Sequence, residues 1–481
     1  MNVLLTGVTG YIGGRMLPVL LDEGHTVYAC VRDKLRFPPQ YRDHPNLRIV
    51  EVDFMNPDFS TLPSDIDAAY YLIHSMTTSL THFDEAEERQ ARSFTEYMNH
   101  TRVRQVIYLS GITAGEHLSQ HLSSRKRVGE ILAGGNYALT ILRAAIISGA
   151  GSASFEIMYD LVDKLPVMIG PDSLNNECQP IGVVNVVYYL KEVLLNEATF
   201  GQTFDIGGPE ILTYRKMLEI IAEVRHLKRR IYTVNWISAR LAAHWFYFIT
   251  SASYKLAVNL SDSMKNNVIC QENRIRELIP QPLLTFRQTV EMALEKIASD
   301  NVLTSWKDSF SSSGLNYKLS QHWKVPEHGV QTYEVSRDVA VSRDEVLRRI
   351  WETGGTHGWW YANWLWKARG LLDLFDKGVG MRGRTNKEEL SPGDALDFWR
   401  VLIADKLGGR LLLYAEMVMP GQGWLDFQLT EKNGKLVLTQ KATFRPHGWK
   451  GRLYWLSTMP LHHFIFHGMI RKLTTPASLV K

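Results

Sequence analysis

The chain has 481 residues, 45% of them hydrophobic and 22% charged, with a formal net charge of +4. That is the composition of a soluble globular protein of two or three domains, and so small a charge gives no case for a nucleic-acid partner. Cys30, Cys178 and Cys270 lie far apart and lack metal-ligand spacing, which excludes a disulfide framework and suggests a reducing compartment. No apolar run reaches the roughly eighteen residues of a membrane span. The nearest, Trp236 to Ala252, contains Arg240 and His244 and reads as an amphipathic helix. A first strand starting at residue 2 or 3 leaves no room for a signal or transit peptide, so the expected location is cytoplasmic.

The chain opens with an apolar run, Val3 to Leu5, followed by Thr6-Gly7-Val8-Thr9-Gly10-Tyr11-Ile12-Gly13 and an apolar helical segment from Met16 to Leu21. This predicts strand, tight turn and helix. Gly7 gives the turn, Gly10 lets a phosphate approach the backbone, and Gly13 lets the helix pack on the strand. The first amides of such a helix suit a pyrophosphate. An ordinary glycine-rich turn is the alternative, but the strand–turn–helix context favours nucleotide binding. The spacing Thr-Gly-x-x-Gly-x-x-Gly resembles the fingerprint of extended and atypical short-chain dehydrogenases/reductases, NmrA-like proteins included. The fold this implies is an α/β Rossmann domain, a doubly wound parallel sheet, and the cofactor it implies is a nicotinamide dinucleotide bound through Gly7, Thr9, Gly10, Tyr11, Ile12 and Gly13.

Thr26 to Val31 reads as a second strand ending in Arg32-Asp33. In a Rossmann unit this strand end meets the adenosine ribose, where an arginine accommodates the 2′-phosphate of NADP and an acid serves NAD. Arg32 comes first and favours NADP(H), while Asp33 keeps NAD(H) open. Leu47 to Phe54 is a third strand, and the resemblance puts Asp53 and Phe54 beside the adenine. The buried strand Ala68 to Ile73 ends in His74-Ser75, near the nicotinamide side of relatives. A polar helix from Phe83 to His100 and the strand Gln105 to Gly111 follow.

In orthodox relatives a serine at Ser110 would sit beside a Tyr-x-x-x-Lys pair, in which the tyrosine moves the substrate proton and the lysine holds the ribose. Here the next helix reads His121-Leu-Ser-Ser-Arg125-Lys126, which puts His121 and Arg125, or one residue later Leu122 and Lys126, in those places. Neither register has the tyrosine. Leu142-Arg143-Ala144-Ala145 resembles the segment that closes over the nicotinamide. A strand and a helix capped by Thr213 continue a substrate lobe. The aromatic stretch Trp236 to Tyr254 packs as lobe core or meets an apolar ligand or membrane.

A polar stretch around Ser305 to Ser313 reads as a linker, and eleven of the thirteen tryptophans lie from Trp306 onward. We divide the chain into a dinucleotide domain at 1–300, a linker at 301–328 and a second domain at 329–481. In the last, Gln331 to Val341 is strand-like and Ser342 to Glu352 is a helix with a Ser342/Glu345 capping box. Alternating segments follow at 394–403, 410–419, 423–430 and 436–444, with an Asn433-Gly434 hairpin signal, and then a helix at about 454–471. This α+β order resembles the START-like (SRPBCC) helix-grip fold, and the sequence is similar to an uncharacterised domain fused to bacterial atypical members of the superfamily. Gly358-Trp359-Trp360-Tyr361, Arg382-Gly-Arg384 and Gly393 to Arg400 carry that likeness. Such domains usually enclose a small apolar ligand between sheet and helix, yet the same Trp and Phe residues fit a packed core. Arg369, Asp373, Arg382, Arg384, Asp397 and Arg400 are candidates for buried ion pairs or a polar anchor. His463 and His467 lie one turn apart beside His462 without acid or Cys partners nearby in sequence, so no metal is expected.

Together these features imply an oxidoreductase with an apolar carbonyl or hydroxyl substrate presented by the second domain. Hydride would pass in a cleft lined by Ser75, Ser110, His121 and Arg143. The alternatives are a protein that senses NADP(H) or binds lipid without turnover, and a nucleotide-sugar epimerase. Peripheral membrane contact stays open.

Overall fold

The computed structural model describes residues 1–34, 37, 41–73, 83–112, 120–235, 237, 249–250, 254–298, 325–386, 389–432 and 434–476. The chain forms two compact units, Met1–Ser312 and Ser313–Lys481.

The first unit is built on β1 (Asn2–Leu5), β2 (Thr26–Val31), β3 (Leu47–Glu51), β4 (Ala68–Tyr71), β5 (Gln105–Gly111) and β6 (Ala138–Ala144). Between them run α1 (Gly13–Asp22), α2 (Phe83–Asn99) and α3 (Gln120–Leu132). Further along lie α4 (Ala153–Lys164), β7 (Val167–Pro171), α5 (Val183–Glu192), β8 (Thr203–Ile206), α6 (Tyr214–Val224), β9 (Arg230–Val234) and α7 (Phe286–Ala298). Seven strands form one parallel sheet in the order β8-β6-β5-β4-β1-β2-β3. Helices cover both faces of such a sheet, so its strands read as continuous apolar runs. All of β4 is buried, and so is β5 except its last glycine. Strand order reverses between β1 and β4, which opens a crevice at their carboxyl ends.

A lobe follows on that side. β7 pairs in parallel with β9, and α4, α6 and α7 pack a separate core of residues such as Phe155, Leu161, Met217, Ile221 and Phe286. Thr213 caps α6, its hydroxyl accepting from the Lys216 amide at 3.1 Å. Most of the aromatic stretch 236–254 lies outside the described residues.

The second unit contains β10 (Gln331–Asp338), α8 (Arg343–Trp351), α9 (Asn363–Phe375), β11 (Trp399–Asp405), β12 (Arg410–Ala415), β13 (Gly421–Lys432), β14 (Lys435–Pro446) and α10 (Gly448–Thr474). Its sheet runs β10-β14-β13-β12-β11, with the short strand Ala395–Leu396 at the edge and every neighbour antiparallel. Lys432 pairs with Lys435, so the hairpin turns between them, and Gly434 takes a φ of 72°. Asn433 itself lies outside the described residues. The last helix begins six residues earlier than the sequence pattern suggests and runs through Pro460, packing on β14 and β10. Ser342 caps α8 by accepting from the Glu345 amide, but the Glu345 carboxylate does not close the expected box. It bonds instead to Arg348 and Arg349, a stronger charged pairing.

Of the charges singled out in this unit, Asp373, Arg382, Asp397 and Arg400 are buried, and two of them, Arg382 and Arg400, converge on an acid the sequence did not flag. Glu416 meets Arg382 and, at 2.9 Å, Arg400, and all three side chains are excluded from solvent. Arg369 instead sits 3.7 Å from Asp373. Asp397 accepts from the indole of Trp359 at 2.8 Å. Arg384 donates to the Trp351 carbonyl at 2.5 Å.

Candidate functional site

The crevice is shaped first by the glycine turn. Gly7 has φ of +67°, and a Cβ there would lie 2.4 Å from the Leu72 carbonyl oxygen. A Cβ on Gly13 would lie 2.3 Å from the Gly7 oxygen. Both positions therefore require glycine for packing. Gly10 differs: its Cβ would meet only the Gly7 oxygen, at 3.1 Å, so its remaining side is open. Thr9, Gly10, Tyr11, Ile12 and Gly13 line the crevice there. Ile12 caps α1 and supplies no side-chain oxygen, which leaves the helix N-terminus able to receive an anion.

At the second strand end, Arg32 is exposed and Asp33 is buried, and both line the cavity. Asp53 lines it too and accepts from the Met55 amide at 3.1 Å. Phe54 is buried edge-on to Phe94, with ring centroids 5.6 Å apart. Gln90, on α2, is buried and lines the same space, and its Oε1 has no hydrogen-bond partner among the described residues. A buried carbonyl left unpaired costs about 1–3 kcal/mol, so this acceptor marks a place for a ligand's donor. No motif announced it, since a single glutamine on a polar helix has no characteristic spacing.

His74 and Ser75 lie outside the described residues. Ser110 ends β5, and Ala144 ends β6, both buried and both lining the cavity. His121 falls in the first turn of α3, with its side chain outside the described residues. Arg125 lines the cavity, donates to the Leu109 carbonyl at 3.0 Å, and has a buried Nε without a partner among the described residues. Lys126 is exposed, and Leu122 lines the cavity. Arg143 is a correction: its side chain does not line the cavity. It pairs at 2.6 Å with Asp205, its register partner on β8, because side chains directly across parallel strands share a face. Two tyrosines, Tyr11 and Tyr214, line the described cavity, and burial pushes both phenols well above their ordinary range. Neither is an activated tyrosine.

Past Ala144 the cavity, about 1060 Å³ in all, turns apolar. Ile147, Ile157, Met158, Leu161, Met168 and Leu174 form much of that end, and the only charged side chains among the described lining are Arg32, Asp33, Asp53 and Arg125, all at the other end. That volume lies at the upper end of the roughly 300–1,000 Å³ of single-ligand pockets, which is room for a ligand as large as a dinucleotide. The orphaned Gln90 acceptor and the open side of Gly10 suit a dinucleotide.

Among the described residues no cluster of three His, Cys, Asp or Glu could hold a metal. His463 and His467 are instead bonded locally, to Tyr333 at 2.8 Å and to the His463 carbonyl at 2.9 Å.

Residues 7–149 match the model of a family described as NAD(P)H-binding, and residues 330–469 match one described as a protein of unknown function (DUF2867). No curated protein matches the chain. Among solved structures, a nucleoside-diphosphate-sugar epimerase from Staphylococcus aureus is similar at 15% identity over 60% of this chain and 100% of its own, with a TM-score of 0.50. A UDP-glucuronic acid 4-epimerase from Bacillus cereus, solved with UDP-glucuronic acid and NAD, is similar at 13% identity over 62% of this chain and 99% of its own, with a TM-score of 0.46. At 15% identity the likeness to the Staphylococcus aureus structure speaks for the fold alone. The first unit thus has a Rossmann-like fold, and its match to an NAD(P)H-binding family supports a nicotinamide dinucleotide as its cofactor.

Proposed function

We propose that the protein is an NADP(H)-dependent oxidoreductase acting on an apolar carbonyl or alcohol. The observation that carries this is the change of character along one cavity, from the glycine turn and its polar flank to an end without charged side chains among the described residues. A nucleotide sugar brings a diphosphate, which calls for cationic partners, so this end favours an apolar substrate over the epimerase alternative. Exposed Arg32 beside buried Asp33 supports a 2′-phosphate at the ribose. When bound, the nicotinamide supplies or accepts hydride. Ser110 is assigned to hold the substrate oxygen, Arg125 to hold the ribose, and His121 to relay the proton. The cytoplasm, with its NADP(H), is the assigned location.

For the second unit we propose a helix-grip layout, supported by its antiparallel sheet and the long helix on β14 and β10. Trp359 and Trp366, stacked at 4.6 Å, favour a packed interior, so the apolar ligand is assigned to the crevice of the first unit. That neither tyrosine of the described lining is activated supports a second reading, a dinucleotide sensor without turnover.

Calorimetric titration with NADPH and NADH, then a spectrophotometric screen of apolar carbonyl compounds against UDP-sugars, tests both. Arg32→Ala should weaken NADPH about tenfold and NADH little. Turnover lost in His121→Ala with dinucleotide affinity kept supports the enzyme. Dinucleotide binding without turnover of any compound supports the sensor, and no binding at all defeats both.

A further inference from the structure

The final helix, α10, is apolar on two opposite faces. One face, with Trp455, Phe466, Met469, Ile470 and Leu473, is buried on the sheet. The other carries Trp449, Leu453, Leu456 and Phe464 at intervals that keep them in one row, and they are 70%, 59%, 59% and 49% exposed. A helix apolar all round is ordinarily buried all round, so among the described residues this outer row lacks the cover its composition calls for. The neighbouring helix α9 repeats the pattern. Trp366, Gly370 and Asp373 face inward, while Trp364, Leu371, Leu372 and Phe375 are more than half exposed.

The two rows are tied together. The ring of Tyr361, just ahead of α9, lies 5.2 Å from that of Phe464 on α10. Arg369 of α9 donates to the carbonyl of Val418, itself exposed, at 2.8 Å. Two residues on, the Pro420 oxygen presses on Gly451 of α10, where a Cβ would lie only 2.4 Å away. The result is an apolar surface spanning two helices, and scattered exposed apolar side chains do not make such a surface.

Charge says what covers it. From Lys432 to Lys481 the chain has nine Lys and Arg, four His and no Asp or Glu, although the whole protein nets only +4. The remainder is therefore net acidic, and the positive charge is concentrated around this helix. Lys450 and Arg452 are exposed beside the row, and the Lys450 ammonium lies 5.9 Å from the Trp449 ring. Trp, Phe and Leu on one face with Lys and Arg at its margin is the pattern of a helix lying in a lipid headgroup layer. No helix among the described residues is long and apolar enough to cross a membrane.

We propose that the outer face of α10, joined by that of α9, docks in plane on an anionic membrane surface. The contact is peripheral: the apolar row enters the headgroup–acyl boundary while Lys450 and Arg452 meet the lipid phosphates.

Flotation of the full chain with vesicles tests this. Binding is expected to phosphatidylglycerol–phosphatidylcholine vesicles and to be weak on phosphatidylcholine alone. Lys450→Glu with Arg452→Glu should weaken it by roughly tenfold or more. Leu453→Asp with Leu456→Asp should abolish it, with melting temperature and dinucleotide affinity unchanged. No flotation of the unaltered chain overturns the proposal. So does undiminished binding by the aspartate pair. A melting temperature lowered by that pair would show the face covered within the chain, and self-association abolished by it would show a second copy there. Either result also overturns the proposal.

Discussion

Gly10 and Gly13 stand one helical turn apart in the same motif, yet a methyl group has different consequences at the two positions. At Gly13 it strikes backbone on two sides, the Gly7 carbonyl at 2.3 Å and the Val8 Cα at 2.9 Å, so Ala there should cost about 1–3 kcal/mol of stability. At Gly10 it meets one oxygen at 3.1 Å and otherwise occupies the space where a pyrophosphate would approach. Gly10→Ala should therefore keep its melting temperature while losing dinucleotide affinity tenfold or more by about 1.4 kcal/mol. Equal loss of stability in the two variants would remove the distinction. Gln90 gives a second test of opposite sign. Gln90→Met removes a buried acceptor that has no partner among the described residues, so the free protein should melt no lower than the parent, while dinucleotide binding weakens about tenfold. A drop in stability with unchanged binding would make Gln90 a packing residue and nothing more.

At the level of elements, the sheet of the second unit is pinned by buried charges beside β11 and the end of β12. Burial alone would push the Glu416 carboxyl up, but Arg382 and Arg400 outweigh it and hold the group down at about 2. A carboxyl depressed on folding contributes stability above its unfolded value, near 4.3, and that contribution is lost as pH falls through the folded value. The second unit should thus lose on the order of 3 kcal/mol between about pH 5 and pH 2 from this group. Glu416→Gln should flatten that window and, by leaving two buried arginines short of a partner, cost about 3–5 kcal/mol at pH 7. Denaturation midpoints at pH 7 and pH 3 for both proteins check it, and an unchanged pH slope in the variant would count against the assignment. The sequence flagged both arginines but not Glu416, because its partners stand 16 and 34 residues away and meet it only once β11 and the segment after β12 come together. Arg143 failed for a related reason: which neighbour a strand residue faces is fixed by the adjacent strand, and that strand lies 62 residues on. The glycine turn was legible because its geometry needs only local spacing. The choice between Arg32 and Asp33 was not, since it depends on which side chain tertiary packing turns inward.

At the scale of the whole molecule, the buried cores separate by unit. The clusters around Leu5 and Ile107, around Phe155 and around Phe94 belong to Met1–Ser312, and the one around Trp359 and Phe427 belongs to Ser313–Lys481. The change in texture near residue 300 made that division readable, since a run of tryptophans signals a new core to be filled. Each unit should therefore respond to its own perturbation. NADPH at a hundred times its dissociation constant should add about 2.7 kcal/mol to the transition carried by the first unit. Lowering the pH toward 3 should weaken the second, through Glu416. Scanning calorimetry at neutral and acid pH, with and without NADPH, separates the two effects. The ligand should raise one transition without rescuing the acid loss of the other, and Glu416→Gln should shift only the second at neutral pH. A single transition that moves with ligand, acid and the substitution alike would mean that the two cores unfold as one, and the assignment of each effect to its own unit would fall.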